Sequence, residues 1–193
     1  MSPTHLVDTY CGSGLFSILL SPHFHTVAGI ELSADAIRSA TANAKLNNLP
    51  PDRCTFLAGD ASDIFSTVTH FPRQRTAVVV DPPRKGCDER FLEQLLAFGA
   101  GTIVYVSCNV HTQARDVGMI VNRSEEKGVG VPLEEKGEGT TEAQRKRQRY
   151  VLESLRGFDL FPQTAHVESV AVLRLVEVPM EVRTSSPISE KSD

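Results

Sequence analysis

The chain has 193 residues, a formal net charge of −4 and a hydrophobic content of 40%. These values predict one globular domain that is long enough to bury a proper core. No overall basic charge attracts nucleic acid or a membrane, so a polyanionic partner must be held locally or by another part of the protein. Neither a signal peptide nor a long apolar run is present, which predicts an intracellular, reducing compartment without resolving which one.

The first half of the chain alternates predicted strands and helices. The stretch "THLVDTYCGSGLFSILLS" begins with a short apolar strand, turns through two glycines and continues as an apolar helical segment. A second strand covers residues 26–31 and ends at Glu31. Ser33 is the candidate N-cap of the next helix, whose apolar positions 37, 40 and 44 share one face. A third strand covers residues 54–60 and ends at Asp60.

The second half repeats this alternation. Residues 76–81, "TAVVVD", form a β-branched run that is typical of a strand covered on both faces. A glycine ends the amphipathic helix over residues 88–99, and another covered strand over 102–108 ends at Cys108. A helix follows, and the last strand covers residues 169–178. The pattern predicts an α/β fold with a mostly parallel central sheet and helices on both faces.

Two segments depart from this pattern. Residues 123–149 are charged, contain several glycines and have almost no large apolar side chains, which predicts a disordered insertion. Residues 179–193 are expected to form a disordered C-terminal tail. The sequence therefore predicts one domain over residues 1–178 with the insertion inside it.

Polar or reactive residues stand at the ends of five predicted strands. In an open parallel sheet, ligands bind outside the carboxyl ends of the strands, near the point where the strand order reverses. A single acid at a strand end often only caps the next helix, whereas five such residues on one rim indicate a binding site. The five are Asp8, Glu31, Asp60, Asp81 and Cys108.

The glycine turn and the acids indicate the ligand class. The turn has Gly12 and Gly14 but lacks the third glycine of a dinucleotide-binding loop, which counts against NAD. Glu31 suits the two hydroxyls of a ribose, and Asp60 can accept from an adenine amino group. An acid ahead of the turn, as at Asp8, suits a ligand with an ammonium and a sulfonium. These residues predict S-adenosylmethionine as the cofactor. The four cysteines form no CxxC pair, and no metal site is expected.

Six motifs carry a resemblance to a known family across nearly all of residues 5–175, apart from the insertion. The chain resembles the catalytic domain of the RNA uracil-5-methyltransferases, which make 5-methyluridine in tRNA or rRNA. The resemblance implies a Rossmann-like S-adenosylmethionine-dependent methyltransferase fold and an RNA substrate, with tRNA favoured. The motifs are "DTYCGSGLFS", "GIE", "NAKLNN", "DPPRKG", "VSCN" and "DLFPQTAHVESV".

The resemblance also implies roles for individual residues. Cys108 corresponds to the nucleophile and Glu168 to the base that removes a proton. The positions that line the family's cofactor site are Tyr10, Leu15, Glu31 and Asp81. Here Val110 follows "SCN" where the family has proline. The family's upstream segment, with a glutamine at the cofactor and a separate RNA-binding region, is expected to lie outside this chain.

Methylation of uracil explains why a cysteine is needed. A cysteine at the end of a covered strand is ordinarily a small buried hydrophobe. Carbon 5 of uracil, however, is a poor nucleophile until a thiolate adds to carbon 6. A base must then remove the hydrogen at carbon 5. "HVES" offers His166 and Glu168, which point the same way on an extended chain, so geometry alone does not choose between them.

The "DPPR" motif concerns substrate recognition. Methyltransferases that act on exocyclic amines usually carry an aromatic residue after the two prolines, whereas this chain has Arg84. Asp81 can bind the cofactor or a base edge, and Arg84 can bind a phosphate or a base oxygen. The target carbon is hidden by stacking, so the uridine must be unpaired or flipped out, which favours an RNA loop.

Two other functions remain open from the sequence. A cytosine-5 methyltransferase shares the covalent chemistry but needs an acid for the cytosine ring nitrogen, and no motif for that acid stands out. A chain that keeps the fold, binds cofactor or partners and is inactive alone is the second alternative.

Overall fold

The computed structural model describes residues 2–59, 61–129 and 147–178. Short 3-10 helices cover Ser21–His23, Ala61–Val68 and Arg73–Arg75. The longer helices are α1 (Leu15–Leu20), α2 (Ala34–Leu46), α3 (Glu89–Phe98) and α4 (Val110–Lys127). The strands are β1 (His5–Thr9), β2 (Thr26–Glu31), β3 (Cys54–Ala58), β4 (Thr76–Val80), β5 (Thr102–Ser107), β6 (Arg147–Phe158) and β7 (Glu168–Val178).

The seven strands form one sheet in the order β3-β2-β1-β4-β5-β7-β6. β1 to β5 pair in parallel, and β7 runs antiparallel to both β5 and β6. The strand order reverses between β1 and β4, and such a switch point is where an open α/β sheet binds its ligands. The prediction of a mostly parallel sheet is confirmed.

Alternate residues of the central strands pack against opposite helical layers. Leu6 and Val79 belong to a core shared with Phe16 and Leu20 of α1, and α2 packs beside β3 on this face. The neighbouring residues of the same strands face a larger core that contains α3, α4 and the Ala61–Val68 segment. This alternation, with a period of two, is what places helices on both faces as predicted.

Local sequence signals fix the helix ends. The Ser33 side chain accepts a hydrogen bond from the Ala36 amide at 3.3 Å, which confirms the predicted N-cap of α2. Gly99 ends α3 in the left-handed conformation with φ 68°, as the sequence indicated. Within the described ranges, no helix combines the length and apolar character needed to cross a membrane.

The predicted boundaries of the insertion are wrong at both ends. α4 continues to Lys127, and β6 already begins at Arg147. Ser124 is fully buried, and its hydroxyl accepts a hydrogen bond from the Tyr150 amide at 2.9 Å. Only one face of α4 and of β6 packs against the rest of the domain. The charged residues on their solvated faces therefore gave this segment a composition typical of disorder. Residues 130–146 and 179–193 lie outside the described residues, and disorder there stays a prediction.

Candidate active site

A cavity of about 550 Å³ lies at the carboxyl ends of β1, β2 and β4. Its size falls within the roughly 300–1,000 Å³ that is usual for small-molecule sites. It contains three of the predicted cofactor residues together with several that the sequence reading did not single out. The lining residues are Tyr10, Ile30, Glu31, Leu32, Gly59, Ile64, Asp81, Pro83, Lys85, Gly86 and Asp88.

Tyr10 has an unusual backbone directly after β1. Its φ is 59°, in the left-handed region that bulky side chains rarely adopt. The ring packs against Phe91 of α3 with centroids 5.3 Å apart. Burial raises the pKa of the phenol above its ordinary value, so the hydroxyl keeps its proton at neutral pH. Backbone strain of this kind is concentrated at functional sites.

The glycine turn holds Glu31 in place. One carboxylate oxygen accepts from the Gly12 amide at 3.2 Å, and the other accepts from the Ser33 amide at 3.1 Å. Each oxygen therefore has a fixed direction and a remaining lone pair for a ligand hydroxyl. Gly12, Gly14 and Leu15 do not line the cavity, and Leu15 is 60% exposed. Their direct contact with a cofactor stays a prediction.

Asp8 faces α1 and does not line the cavity. Its Oδ2 accepts from the Ser17 amide at 2.8 Å and from the Ser17 hydroxyl at 2.6 Å, while Oδ1 has no hydrogen-bond partner. Burial raises the pKa of this carboxyl to about 6. Asp8 thus joins β1 to α1 behind the glycine turn. Asp60, the fifth residue of the predicted rim, lies outside the described residues.

Cys108 and Glu168 come together through the antiparallel pairing of β5 and β7. Ser107 pairs with Ser169, so the next position outward on each strand places Cys108 opposite Glu168. Neither residue lines the cavity, but Asp81 follows β4 directly, next to β5. Burial raises the pKa of Asp81, and the charge of Glu168 adds to this effect. Asp81 and Cys108 therefore follow the ends of β4 and β5, and Glu168 begins the neighbouring β7 at the same edge of the sheet.

Side chains of α4 support the turn that carries Cys108. The buried Gln113 amide donates to the backbone oxygens of Tyr105 at 2.9 Å and Ser169 at 3.1 Å, which joins the ends of β5 and β7. Asn109 caps α4 by accepting from the His111 amide at 3.1 Å. Val110 is the first helical residue, a position that suits proline in the resembling family.

Cys108 is partly exposed, whereas the other three cysteines are buried free thiols. Burial raises the pKa of Cys54 to about 11 and that of Cys87 to about 12, so both stay protonated at neutral pH. The pKa of Cys11 is raised for the same reason. Among the described residues, no three His, Cys, Asp or Glu side chains are grouped so that they could hold a metal ion.

The other candidate groups lie at the surface of the same rim. Arg84 is exposed, and its backbone oxygen accepts from the Asn109 side chain at 3.1 Å and the Thr112 hydroxyl at 3.2 Å. His166 is exposed in the loop before β7, and its ring lies 6.4 Å from that of Phe161. The exposed Arg84 side chain is consistent with the predicted contact to substrate, which stays a prediction.

The sequence reading missed a buried carboxylate beneath this site. Asp116 of α4 is 0% exposed, and its Oδ2 accepts from the Cys87 amide at 2.7 Å and the Tyr105 hydroxyl at 2.6 Å. Its Oδ1 accepts from Arg115 Nε at 2.8 Å. A sequence signal for Asp116 was present. Gln113, Asp116 and Ile120 recur at helical spacing, so the polar Gln113 and Asp116 share the inward face of α4 with Ile120.

Comparison with known proteins shows the family. Residues 2–124 match the model of the family described as tRNA (Uracil-5-)-methyltransferase. The chain belongs to this family. It is 48% identical over 174 residues to the tRNA (uracil(54)-C(5))-methyltransferase of Schizosaccharomyces pombe, covering 90% of this chain and 28% of that protein. It is 43% identical over 171 residues to the Saccharomyces cerevisiae enzyme of the same description, covering 89% and 23%.

The chain thus spans about a quarter of the length of these two yeast relatives. A solved structure agrees with the fold. The Pyrococcus abyssi tRNA (uracil-54, C5)-methyltransferase, in complex with S-adenosyl-L-homocysteine, has a TM-score of 0.66 and 30% identity. The match covers 90% of this chain and 35% of that one. The Rossmann-like methyltransferase fold implied by the resemblance is confirmed.

Proposed function

We propose that this chain is the methyl-transferring domain of a tRNA uracil-5-methyltransferase, with uridine 54 as its target. The observation that carries the proposal is the β5–β7 register, which ends at Ser107 opposite Ser169 and so places Cys108 opposite Glu168, with the cavity residue Asp81 near Glu168. The yeast relatives, by their descriptions, act on the uracil at position 54 of tRNA. No observation favours cytosine as the target.

The cavity lining fits S-adenosylmethionine. Three of its residues are carboxylates, Glu31, Asp81 and Asp88, against one ammonium, Lys85. This balance favours a ligand with positive groups over one with phosphates. Glu31 would accept from the ribose hydroxyls, and the Tyr10 ring would form an apolar wall. When bound, the cofactor supplies an electrophilic methyl group to carbon 5 of the uracil.

The residues of the chain supply the covalent steps. The Cys108 thiolate adds to carbon 6, forming an S–C bond and leaving electron density at carbon 5. After carbon 5 is methylated, Glu168 removes its hydrogen as a proton. The electron pair restores the double bond between carbons 5 and 6, and the thiolate leaves. Burial, and then the nearby charge of Glu168, raise the pKa of Asp81, so these two carboxyl groups lie close to one another at the site.

Cofactor binding is tested on the chain alone. Isothermal titration with S-adenosylhomocysteine should show binding that Glu31→Ala weakens by at least about tenfold, because the ribose contacts are lost. Glu153→Ala is the matched control: it removes an exposed acid of β6 that pairs with Arg174 of β7, and it should leave the affinity unchanged. Preference for NAD over S-adenosylhomocysteine would contradict the proposal.

The covalent steps are tested with a tRNA transcript and a denaturing gel. The chain is assayed alone and as a chimera in which it replaces the matching 28% of the Schizosaccharomyces pombe relative. The comparison distinguishes a chain that does not bind RNA from one that binds RNA but does not catalyse methyl transfer. Glu168→Gln should accumulate a methylated protein–RNA adduct, because addition occurs without release. Cys108→Ala should form none, whereas Cys54→Ala, at a buried cysteine of β3, should behave like the unaltered protein.

Adducts formed by Cys108→Ala would place the nucleophile elsewhere. Normal turnover by Glu168→Gln, together with loss of turnover in His166→Gln, would make His166 the base. A transcript with 5-fluorouridine should trap the unaltered protein, since fluorine cannot leave carbon 5 as a proton.

A further inference from the structure

The loop after β4, residues 81–88, forms one wall of the cavity and has a large part of its backbone bound to α4. We call it the proline loop. Its Asp81, Pro83, Lys85, Gly86 and Asp88 line the cavity. α4 begins two residues after Cys108. One helix therefore borders both the cavity wall and the candidate nucleophile.

Three side chains of α4 and that of its N-cap residue bind the proline loop, and every one of these bonds is made to loop backbone. The Arg84 oxygen accepts from the Asn109 side chain and the Thr112 hydroxyl. Arg115 Nη2 donates to the Lys85 oxygen at 3.0 Å and lies 3.4 Å from the Cys87 oxygen. The Cys87 amide donates to Asp116 Oδ2. We call Asn109, Thr112, Arg115 and Asp116 the α4 clamp.

The spacing of the clamp follows from helix geometry. Positions 112, 115 and 116 follow one another at i, i+3 and i+4, and Asn109 precedes Thr112 by three residues, so all four lie on one side of the start of the helix. Because the clamp holds only backbone, the loop side chains remain available to face the cavity. A buried acid that receives two donors and a guanidinium also fixes the loop more rigidly than apolar packing would.

Gly86 shows how closely the loop approaches the clamp. Its φ is 79°, and a Cβ there would lie 2.5 Å from Asp116 Oδ2 and 2.6 Å from Arg115 Nη2. The loop therefore passes directly over these two groups. Displacement of either group moves the backbone that carries the cavity wall.

We propose that Arg115 and Asp116 are positioning residues: through the proline loop they set the cofactor-binding wall relative to Cys108. This inference rests on the proposed function for its consequence, because the positioned wall is the one that would hold S-adenosylmethionine. The two residues act as one unit, since Arg115 reaches the loop oxygens while it is held by Asp116.

The test uses Arg115→Gln, Asp116→Asn and the double variant. In Asp116→Asn the amide oxygen can still accept from the Cys87 amide and the Tyr105 hydroxyl, whereas the amide nitrogen faces Arg115 and releases it. Each single variant should weaken S-adenosylhomocysteine binding about tenfold. For comparison, a displacement of about 1 Å in a positioned group can lower a catalytic rate by up to about 100-fold. The double variant should bind no more weakly than the worse single variant, because both changes release the same loop.

Two controls separate positioning from stability. Arg123→Gln breaks an ion pair with Glu89 at another arginine of α4 and should leave the affinity unchanged. Ile120→Val removes a methylene from a fully buried side chain of α4 and should lower the melting temperature without changing the affinity. Hydrogen exchange of the Cys87 amide should become faster in Arg115→Gln and Asp116→Asn only.

Affinities within twofold of the unaltered chain, with unchanged exchange at Cys87, would overturn the inference and leave the clamp a purely structural feature. If the losses of affinity in the two single variants added up in the double variant, Arg115 and Asp116 would not act as one unit. If the unaltered chain fails to bind S-adenosylhomocysteine, the proposed function fails, while the exchange measurement still decides whether the clamp holds the loop.

Discussion

Asp8 and Asp116 are both fully buried, yet they lie on opposite faces of the sheet and have different partners. Asp8 binds one residue of α1 through Oδ2 and leaves Oδ1 without a partner. Asp116 pairs both oxygens and connects α4, β5 and the proline loop. The α1 face therefore uses its acid to join two neighbouring elements, whereas the α4 face uses its acid to organise the candidate site.

The largest effect is expected from Asp116→Ala. The change leaves the Cys87 amide and the Tyr105 hydroxyl buried without an acceptor, which should cost about 2–5 kcal/mol in the free energy of unfolding. Urea denaturation measures this loss. Asp35→Ala on α2 removes an exposed partner of Arg38 and should cost less than about 1 kcal/mol. Equal losses in the two variants would mean that the buried bonds of Asp116 stabilise the fold no more than an exposed ion pair does.

Asp8→Asn should change how stability depends on pH. The Asp8 pKa is about 6 in the folded chain against 3.8 in the unfolded chain, so the folded state binds more protons between these values. The unaltered chain therefore loses stability as pH rises through this interval, by roughly 3 kcal/mol, and asparagine does not titrate. Denaturation from pH 4 to 7 should show the variant gaining stability relative to the unaltered chain as the pH rises. A difference independent of pH would mean that Asp8 is ionised throughout.

The fold could be predicted from the sequence because the spacing of apolar residues and the residues at strand ends are local signals. Buried runs such as "TAVVV" indicated covered strands, and a parallel sheet puts Glu31, Asp81 and Cys108 on one edge. The placement of Cys108 opposite Glu168 did not follow from pattern, since it depends on the antiparallel register of β5 and β7. Their roles as nucleophile and base came from the family resemblance instead.

The clamp was missed for a different physical reason. A single acid within a charged helix usually faces water, and only its spacing from Gln113 and Ile120 marks Asp116 as inward. The end of α4 was misread in the same way, because buried Ser124 is surrounded by solvated charges. Composition averages over both faces of a helix, whereas burial depends on one face.

Gly86→Ala should disturb the α4 face at the proline loop itself. The added methyl group meets Asp116 and Arg115, and the positive φ disfavours alanine, so a loss of about 1–3 kcal/mol is expected. Binding of S-adenosylhomocysteine should weaken as well, because Gly86 lines the cavity. Thermal denaturation and titration measure the two effects. Unaltered affinity would mean that the loop can shift without moving the cavity wall.

Gly118→Ala on α4 is the matched glycine-to-alanine change. It should have the smallest effect on the free energy of unfolding, and it should raise this energy rather than lower it. Gly118 lies within α4, and a Cβ there meets nothing within 4 Å. Alanine restricts the unfolded chain more than glycine does, so the variant should gain about 0.5–1 kcal/mol in thermal denaturation. Its affinity for S-adenosylhomocysteine should not change, because a Cβ at position 118 would meet no side chain of the clamp. A stabler helix with altered affinity would show that α4 acts on the cavity through its overall rigidity rather than through Arg115 and Asp116.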